Sequence, residues 1–328
     1  MRLLKDKDFK TFEQLCALTQ KGIKKTMATF LRSKYKKVIE TEDYVVAEGD
    51  IPIALCAHMD TVFPRPASEV FYDRTRNVIW SPQGLGADDR AGIFAIIQIL
   101  RKGLRPHIIL TTDEEKGAYG AIALACGEKP FEDLRYIIQL DRRGADDCVF
   151  YDCDNQQFVD YVESFGFIEA IGSFSDISII CPEWKIAGVN LSIGYRDEHS
   201  VSEVLFVGQM LNTIDKVIKM LQESVDTIPT FEYVPKFNFR HGWYRYLDVS
   251  SSKVDDTHCV KCKHEFDKVN LIPVKTSDFK TRYYCPDCIV DNVNWCVCCG
   301  EAYETPSDGE KMNLCEDCFY DFYYANPK

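Results

Sequence analysis

The chain alternates short, almost wholly apolar runs with polar, turn-rich stretches. Ile51 to Ala57 and Tyr136 to Leu140 are apolar at nearly every position, and Pro106 to Asp113 carries the run Ile108-Ile109-Leu110, which predicts strands buried on both faces. Asp43 to Ala47, Val149 to Tyr151 and Asn190 to Tyr195 extend the series, and Ile79-Trp80 marks a short edge hairpin. Between these runs the apolar period changes to that of a helix. Residues 1–36 carry Phe9, Phe12, Leu15, Leu18, Ile23, Met27, Phe30 and Leu31 at near-helical spacing, with Thr11 and Gln14 set for a capping box. A helix is predicted from Asp88 to about Lys102, with Gly103 as its stop. Further helices are predicted at Lys116–Cys126, rich in small residues, and near Gln156–Phe165. A long amphipathic helix is predicted from Val201 to Leu221. Strands alternating with helices predict an α/β fold: a mixed, mostly parallel central sheet with helices on both faces.

The pattern changes near residue 222. Residues 1–222 form the expected first domain. Residues 223–255 form a junction with Pro229, Pro235, Phe237, Phe239, Trp243, Tyr244 and Tyr246, and 256–328 form a cysteine-rich module. So many aromatics either pack back onto a domain or present a surface to a partner. A length of 328 residues accommodates this division. The formal net charge of −12 argues against a general affinity for nucleic acid or anionic membrane. No apolar run approaches the roughly 20 residues that span a bilayer. Met1 to Asp6 lacks the apolar core of a signal peptide, so a cytoplasmic location is expected.

Chemistry collects just beyond the apolar runs. His58-Met59-Asp60 follows the first, Glu114-Glu115 the next and Asp141 the third, while His199 follows Tyr195. Gly86-Ala87-Asp88-Asp89-Arg90-Ala91-Gly92 sets two acids between glycines at the mouth of the apolar helix. In an open parallel sheet the carboxyl ends of the strands are where ligands bind. A carboxylate such as Asp88 has two oxygens and can bridge two metal ions, as two-metal hydrolytic sites require.

Taken in order, His58-Met59-Asp60-Thr61-Val62, Gly86-Ala87-Asp88-Asp89, Asp113-Glu114-Glu115 with Gly117, Asp141 and Glu198-His199-Ser200 resemble the co-catalytic zinc exopeptidases. That superfamily includes peptidase T and the single-domain zinc aminopeptidases, and the resemblance covers roughly residues 40–222. It implies that His58 and Asp141 hold one zinc, Glu115 and His199 the other, and that Asp88 bridges them. It also implies a cis peptide bond between Asp88 and Asp89. Asp60 is expected to orient the His58 imidazole. Glu114 is the expected general base for a water shared by the ions, passing the proton later to the leaving amine. Only 58 residues separate Asp141 from His199. The inserted lid or dimerisation domain of peptidase T is therefore not expected, and the oxyanion donor of lid-bearing relatives is missing or replaced.

Around this centre, Arg142 and Arg143 either hold a substrate carboxylate or balance the surrounding acids. Ser175-Asp176 and Tyr195-Arg196 either line the substrate pocket or supply an oxyanion donor, or are simply loop structure, the reading favoured here.

Of the 15 cysteines, six stand singly before residue 182 and nine follow residue 258. Cys259/Cys262, Cys285/Cys288, Cys296/Cys299 and Cys315/Cys318 are CxxC pairs, and eight thiolates suit two structural zinc ions. Sequential ribbons would join the first pair with the second; a cross-brace would join the first with the third. Residues 225–328 hold 12 Lys plus Arg against 17 Asp plus Glu. Protein recognition or control of access to the active site is therefore expected of the tail before nucleic-acid binding.

The expectation is a hydrolase with two catalytic and two structural zinc ions, trimming small peptides from one end. The alternatives are a deacylase or carboxypeptidase acting on N-acyl amino acids, and an inactive peptidase-fold adaptor whose tail binds a partner protein. The oligomeric state is left open.

Overall fold

Two amphipathic helices open the chain, α1 (Asp6–Cys16) and α2 (Gln20–Arg32). They bury Phe12, Leu15 and Cys16 from the first and Ile23, Met27, Ala28 and Leu31 from the second. The computed structural model describes residues 2–223 and 228–236, then 258–259, 261–265, 272–275, 281–285, 288, 293–295 and 302–304. The chain divides into two compact units, Met1–Asn238 and Phe239–Lys328.

After the helices the first unit continues with β1 (Lys37–Glu40), β2 (Tyr44–Glu48), β3 (Ile51–His58), β4 (Phe71–Asp73), β5 (Val78–Trp80), α3 (Ala87–Arg101) and β6 (Pro106–Thr111). There follow α4 (Tyr119–Ala125), β7 (Tyr136–Arg142), β8 (Asp147–Val149), α5 (Gln156–Glu163), β9 (Ile168–Glu169) and α6 (Asp176–Trp184). It closes with β10 (Gly188–Ser192), β11 (Tyr195–Arg196), β12 (Val204–Phe206) and α7 (Val207–Leu221).

The main sheet runs β1-β2-β6-β3-β7-β10-β8-β9. Its centre, β6-β3-β7-β10, is parallel throughout, and β1, β2 and β8 pair antiparallel at its flanks. Successive strand side chains point to opposite faces, and here both faces are covered. Ile53, Leu55 and Ala57 of β3, with Ile108, Leu110, Tyr136, Ile138 and Leu140, join α1, α2, α3, α5 and α7 on one side. Ala54 and Cys56, with Ile109 and Ile137, meet α4 and α6 on the other. The fold is the mixed α/β architecture that the apolar runs predict. A second sheet, β11-β12-β5-β4, contains the hairpin around Ile79-Trp80.

Several boundaries differ from the sequence reading. Thr11 lies inside α1, where its hydroxyl donates to the Lys7 carbonyl (3.1 Å), so it makes no capping box. The cap is Thr19, whose Oγ1 accepts the Gly22 amide at the start of α2 (3.2 Å). The helix expected at 116–126 starts only at Tyr119, because Gly117 and Ala118 take left-handed backbone. The last helix starts at Val207 rather than Val201. Val204 and Leu205 pair with Trp80 and Ile79, so the apolar run splits into a strand and a helix. Asp176 heads α6 with Ser175 as its cap, and Tyr195-Arg196 forms β11, so only Ser175 of these four residues lies outside a helix or strand.

Of the junction, residues 228–236 are described. They return to the first unit: Ile228 and Phe231 are buried in its core, and the Phe231 amide donates to the Arg135 carbonyl (3.0 Å). Phe237, Phe239, Trp243, Tyr244 and Tyr246 lie outside the described residues. The second unit contains β13 (Ile272–Lys275), β14 (Thr281–Tyr284), β15 (Val293–Trp295) and β16 (Ala302–Glu304), in the sheet order β14-β13-β16-β15. Cys296, Cys299, Cys315 and Cys318 are likewise outside the described residues.

Candidate metal centre

Parallel register brings the strand ends together. His58 of β3 lies opposite Thr111 of β6, and β7 carries Asp141 beyond Gln139, which pairs with Cys56. Gly86-Ala87-Asp88 enters from the start of α3, and the Asp88–Asp89 peptide bond is cis, as the resemblance implies. Gly92 is required here, since a Cβ would strike Asp89 Oδ1 and the Leu140 carbonyl. The helix therefore starts hard against β7.

Asp88 stands between two histidines. Its Oδ1 lies 2.9 Å from His58 Nε2, and its Oδ2 lies 3.3 Å from His199 Nε2. Asp141 Oδ1 is 3.4 Å from His58 Nε2, and Glu115 Oε2 is 3.1 Å from His199 Nε2. Ligand-type atoms within 4.8 Å of one another thus form the sets His58/Asp88/Asp141 and Asp88/Glu115/His199, which share Asp88. A third set, His58/Glu114/Glu115, places Glu114 on the same cluster. Imidazole nitrogen and carboxylate oxygen are donors that suit zinc. Glu115 Oε1 is buried without a hydrogen-bond partner, an atom left over for a cation. The residues present fit a pair of divalent ions.

The electrostatics express the same crowding. Burial works against a charged His58, but Asp141, Asp60 and Asp88 outweigh it and hold the imidazole well above its usual value. Hydrogen bonds to Asp88 and Glu115 raise His199 to about 10. Burial raises Asp141 to about 7 and Glu114 to about 9, with neighbouring acids adding to both. Asp88 moves the other way: burial opposes the shift, but the two histidines hold it below the ordinary carboxylate range.

Asp60 accepts from three donors. His58 Nδ1 lies 3.1 Å from its Oδ1, and the amides of Glu114 and Glu115 donate to Oδ1 and Oδ2 (3.1 and 3.2 Å). It therefore fixes the imidazole and the turn carrying both glutamates. Asp141 is held equally closely. Its Oδ2 accepts from Ser175 Oγ (3.0 Å) and Gln139 Nε2 (3.1 Å), and Asn190 bonds its backbone on both sides (3.0 and 2.8 Å).

Of the surrounding candidates, Tyr195 and Asp176 are buried, whereas the Arg143 side chain is largely exposed. The buried Tyr195 donates its hydroxyl to Asp141 Oδ1 (3.2 Å), which makes it a support of that carboxylate. Asp176 is wholly buried, with its Oδ2 accepting from Thr111 Oγ1 (2.6 Å). With no exposed surface at the start of α6, it does not line a solvent-facing pocket. Arg142 donates to the Ile171 carbonyl (3.2 Å) and lies 3.6 Å from Asp147, and Arg143 pairs with Glu198 at 2.8 Å.

One supporting residue escapes the sequence reading. Glu203, 1% exposed, accepts the Gly86 amide on Oε2 (2.6 Å) and the Asp88 amide on Oε1 (3.0 Å). It grips the loop that delivers Asp88. Its one sequence signal is an acid among Val201, Val204 and Leu205, four residues after His199.

The fold and the strand-end cluster define a mixed α/β protein with a carboxylate–imidazole centre at the carboxyl edge of its parallel strands. No protein-family model matches the sequence, and no curated protein matches it either. Solved structures do share the fold. A tripeptidase from Staphylococcus aureus superposes with a TM-score of 0.56 at 14% identity, over 69% of this chain and 100% of that one. An aminopeptidase from Bacillus cereus gives 0.54 at 15% identity, over 69% and 100%. A TET aminopeptidase from a marine sediment archaeon of the Thaumarchaeota gives 0.55 at 14%, over 68% and 99%. At these identities the likeness is one of fold. Among the described residues, no helix is long and apolar enough to cross a membrane.

In the second unit, the sulfurs of Cys259, Cys262, Cys285 and Cys288 lie within 4.8 Å of one another.

Proposed function

We propose that the first unit is a two-metal amide hydrolase that removes residues from the end of small peptides, most simply an aminopeptidase. The observation that carries this reading is the position of Asp88, with one oxygen facing His58 and the other facing His199. His58 and Asp141 would hold one divalent ion and Glu115 and His199 the other, with Asp88 common to both. Zinc suits these donors. When bound, such a pair supplies Lewis acidity and lowers the pKa of water.

The chain's own part is proton handling and positioning. Glu114 sits half-buried beside His58 and Glu115, and cation charge at the two clusters favours its carboxylate form. In that form it accepts a proton from the attacking water and returns it to the leaving nitrogen, a contribution of about 10²–10⁴ in rate. Asp60 keeps its turn and the His58 ring in register. Arg142 and Arg143 each donate to one of the chain's own oxygens, and loss of activity in Arg142→Ala or Arg143→Ala would favour the carboxylate capture a deacylase needs. The names of the fold neighbours, a tripeptidase and aminopeptidases, agree with the aminopeptidase reading.

The test is hydrolysis of a mixed library of peptides and N-acyl amino acids by the zinc-loaded full chain, with Glu114→Ala alongside. Release of N-terminal residues, lost in the variant, is expected. Cleavage of acyl amino acids alone would replace the aminopeptidase with a deacylase. No turnover by chains that retain all their metal would leave the adaptor.

A further inference from the structure

The spacing of the CxxC pairs leaves their pairing open, and the second unit contains the geometry that decides it. Cys259 and Cys262 lie on one tight turn, where the Lys263 amide donates to the Cys259 carbonyl (2.9 Å) and Lys263 takes left-handed backbone. Cys285 and Cys288 lie on another, closed by the Cys288 amide donating to the Cys285 carbonyl (3.1 Å). Strand β14 ends at Tyr284, so β-pairing with β13 fixes the second turn. The two turns meet, with Cys262 Sγ 3.9 Å from Cys285 Sγ and all four sulfurs within 4.8 Å of one another. A tetrahedral zinc with bonds of about 2.3 Å needs sulfur–sulfur edges of about 3.8 Å. A disulfide would require about 2.05 Å, far shorter than the 3.9 Å between the Cys262 and Cys285 sulfurs.

We propose that Cys259, Cys262, Cys285 and Cys288 form one tetrathiolate site for a structural zinc ion, so that neighbouring CxxC pairs join in sequence and the module is not cross-braced. Two further observations agree. Among the described side chains of this unit, Cys259 and Cys285 are buried along with Val274 and Tyr284, so two of the four thiols are withdrawn from water. A tetrathiolate site that forms only in the folded state returns its metal-binding free energy to folding. The site also stands apart from the hydrolase centre in donor chemistry, with four soft thiolates against imidazole and carboxylate, so it selects zinc over harder divalent ions. Binding exchanges the thiol protons for the ion, and no change of oxidation state is involved.

Zinc counting on the full chain tests the pairing. Cys262→Ser and Cys288→Ser are each expected to lose one zinc per chain, and the double variant to lose that same single ion. A cross-brace requires the double variant to lose two. Two disulfides instead of a metal site would leave the zinc content unchanged in every variant, and in the unmodified protein these four thiols would appear only after reduction. A measurement on the unmodified protein guards against misfolded variants. Under graded chelation followed by alkylation and mass spectrometry, Cys259, Cys262, Cys285 and Cys288 should become reactive as one group. If Cys259 and Cys262 open separately from Cys285 and Cys288, the assignment is wrong. Cobalt(II) loading supplies a spectroscopic check: sulfur-to-cobalt charge-transfer absorption should fall by one site in Cys262→Ser and no further in the double variant.

Discussion

One oxygen joins Asp60 to both halves of the centre: its Oδ1 accepts the Glu114 amide at 3.1 Å and lies 3.1 Å from His58 Nδ1. The strand end with the first imidazole and the turn with both glutamates therefore share a single anchor. Asp60→Ala leaves the His58 ring free to rotate and two amides without their acceptor. Loss of such a partner is expected to weaken metal affinity about 10–100-fold. Chelator competition on the purified protein measures this, and kcat at saturating metal reports the displaced Glu114. Unchanged affinity and rate together would remove Asp60 from the machinery.

Metal loading should release protons. His58 is held well above its usual value once Asp141, Asp60 and Asp88 outweigh burial, and His199 is held at about 10. Near neutral pH both imidazoles are thus protonated in the metal-free chain, whereas a metal-bound imidazole must give up that proton. Loading both clusters is expected to release about three protons per chain, two from the imidazoles and one from Glu114 as cation charge favours its carboxylate form, with Asp141 adding a fraction, and apparent affinity therefore rises with pH. Calorimetric titration with zinc in two buffers of different ionisation enthalpy gives the count. Proton uptake would contradict the arrangement.

Glu203 yields a prediction that rests on backbone rather than on metal. Its two oxygens accept the amides of Gly86 and Asp88. Glu203→Gln keeps the shape but turns an NH₂ toward one of those donors, and Glu203→Ala removes both acceptors. Leaving a buried donor unsatisfied costs about 1–3 kcal/mol, so thermal stability should fall in the order wild type, Gln, Ala. If Glu203 positions Asp88, metal affinity falls in the same order. A loss of stability with metal affinity intact would show that Glu203 serves the fold alone.

What could be seen in the sequence follows from where the information lies. Strands β3, β6 and β7 are buried on both sides, so their apolar runs are continuous and their ends, with His58, Glu114-Glu115 and Asp141, are visible in one dimension. Asp88 was legible because glycines and a sharp change of polarity surround it. Helix α6 was not: it is nine residues long with Pro182 inside. The start of α7 was obscured because a strand and a helix share one apolar run, and only pairing with Ile79 and Trp80 separates them. Glu203 acts on backbone amides, Tyr195 hydrogen-bonds Asp141 and Asp176 accepts from Thr111, so no spacing rule marks their roles. The cysteine spacing shows the CxxC pairs, but that the sulfurs of Cys259, Cys262, Cys285 and Cys288 converge is a matter of the folded chain and not of spacing.

The last prediction concerns His107, which lies away from the metal clusters. The ring is buried on β6, stacked on Phe131 with centroids 4.2 Å apart. Its Nδ1 accepts the Gly49 amide (3.1 Å), so the proton resides on Nε2, which donates to Asp133 (3.0 Å). Burial holds His107 below its ordinary value, and Asp133 offsets this only in part. An unfolded histidine titrates near about 6.5. Between that value and the lower folded one, the unfolded chain binds more protons, so stability rises with pH across the interval. The contribution of neutral His107 is fully present above about pH 6.5 and is lost as pH falls below it, when a second proton would displace Gly49 from Nδ1. His107→Gln cannot titrate. Wild type should therefore exceed the variant in melting temperature at pH 7.5, and the gap should narrow by pH 5.5. A gap that stays constant across that range would mean that the ring contributes packing alone.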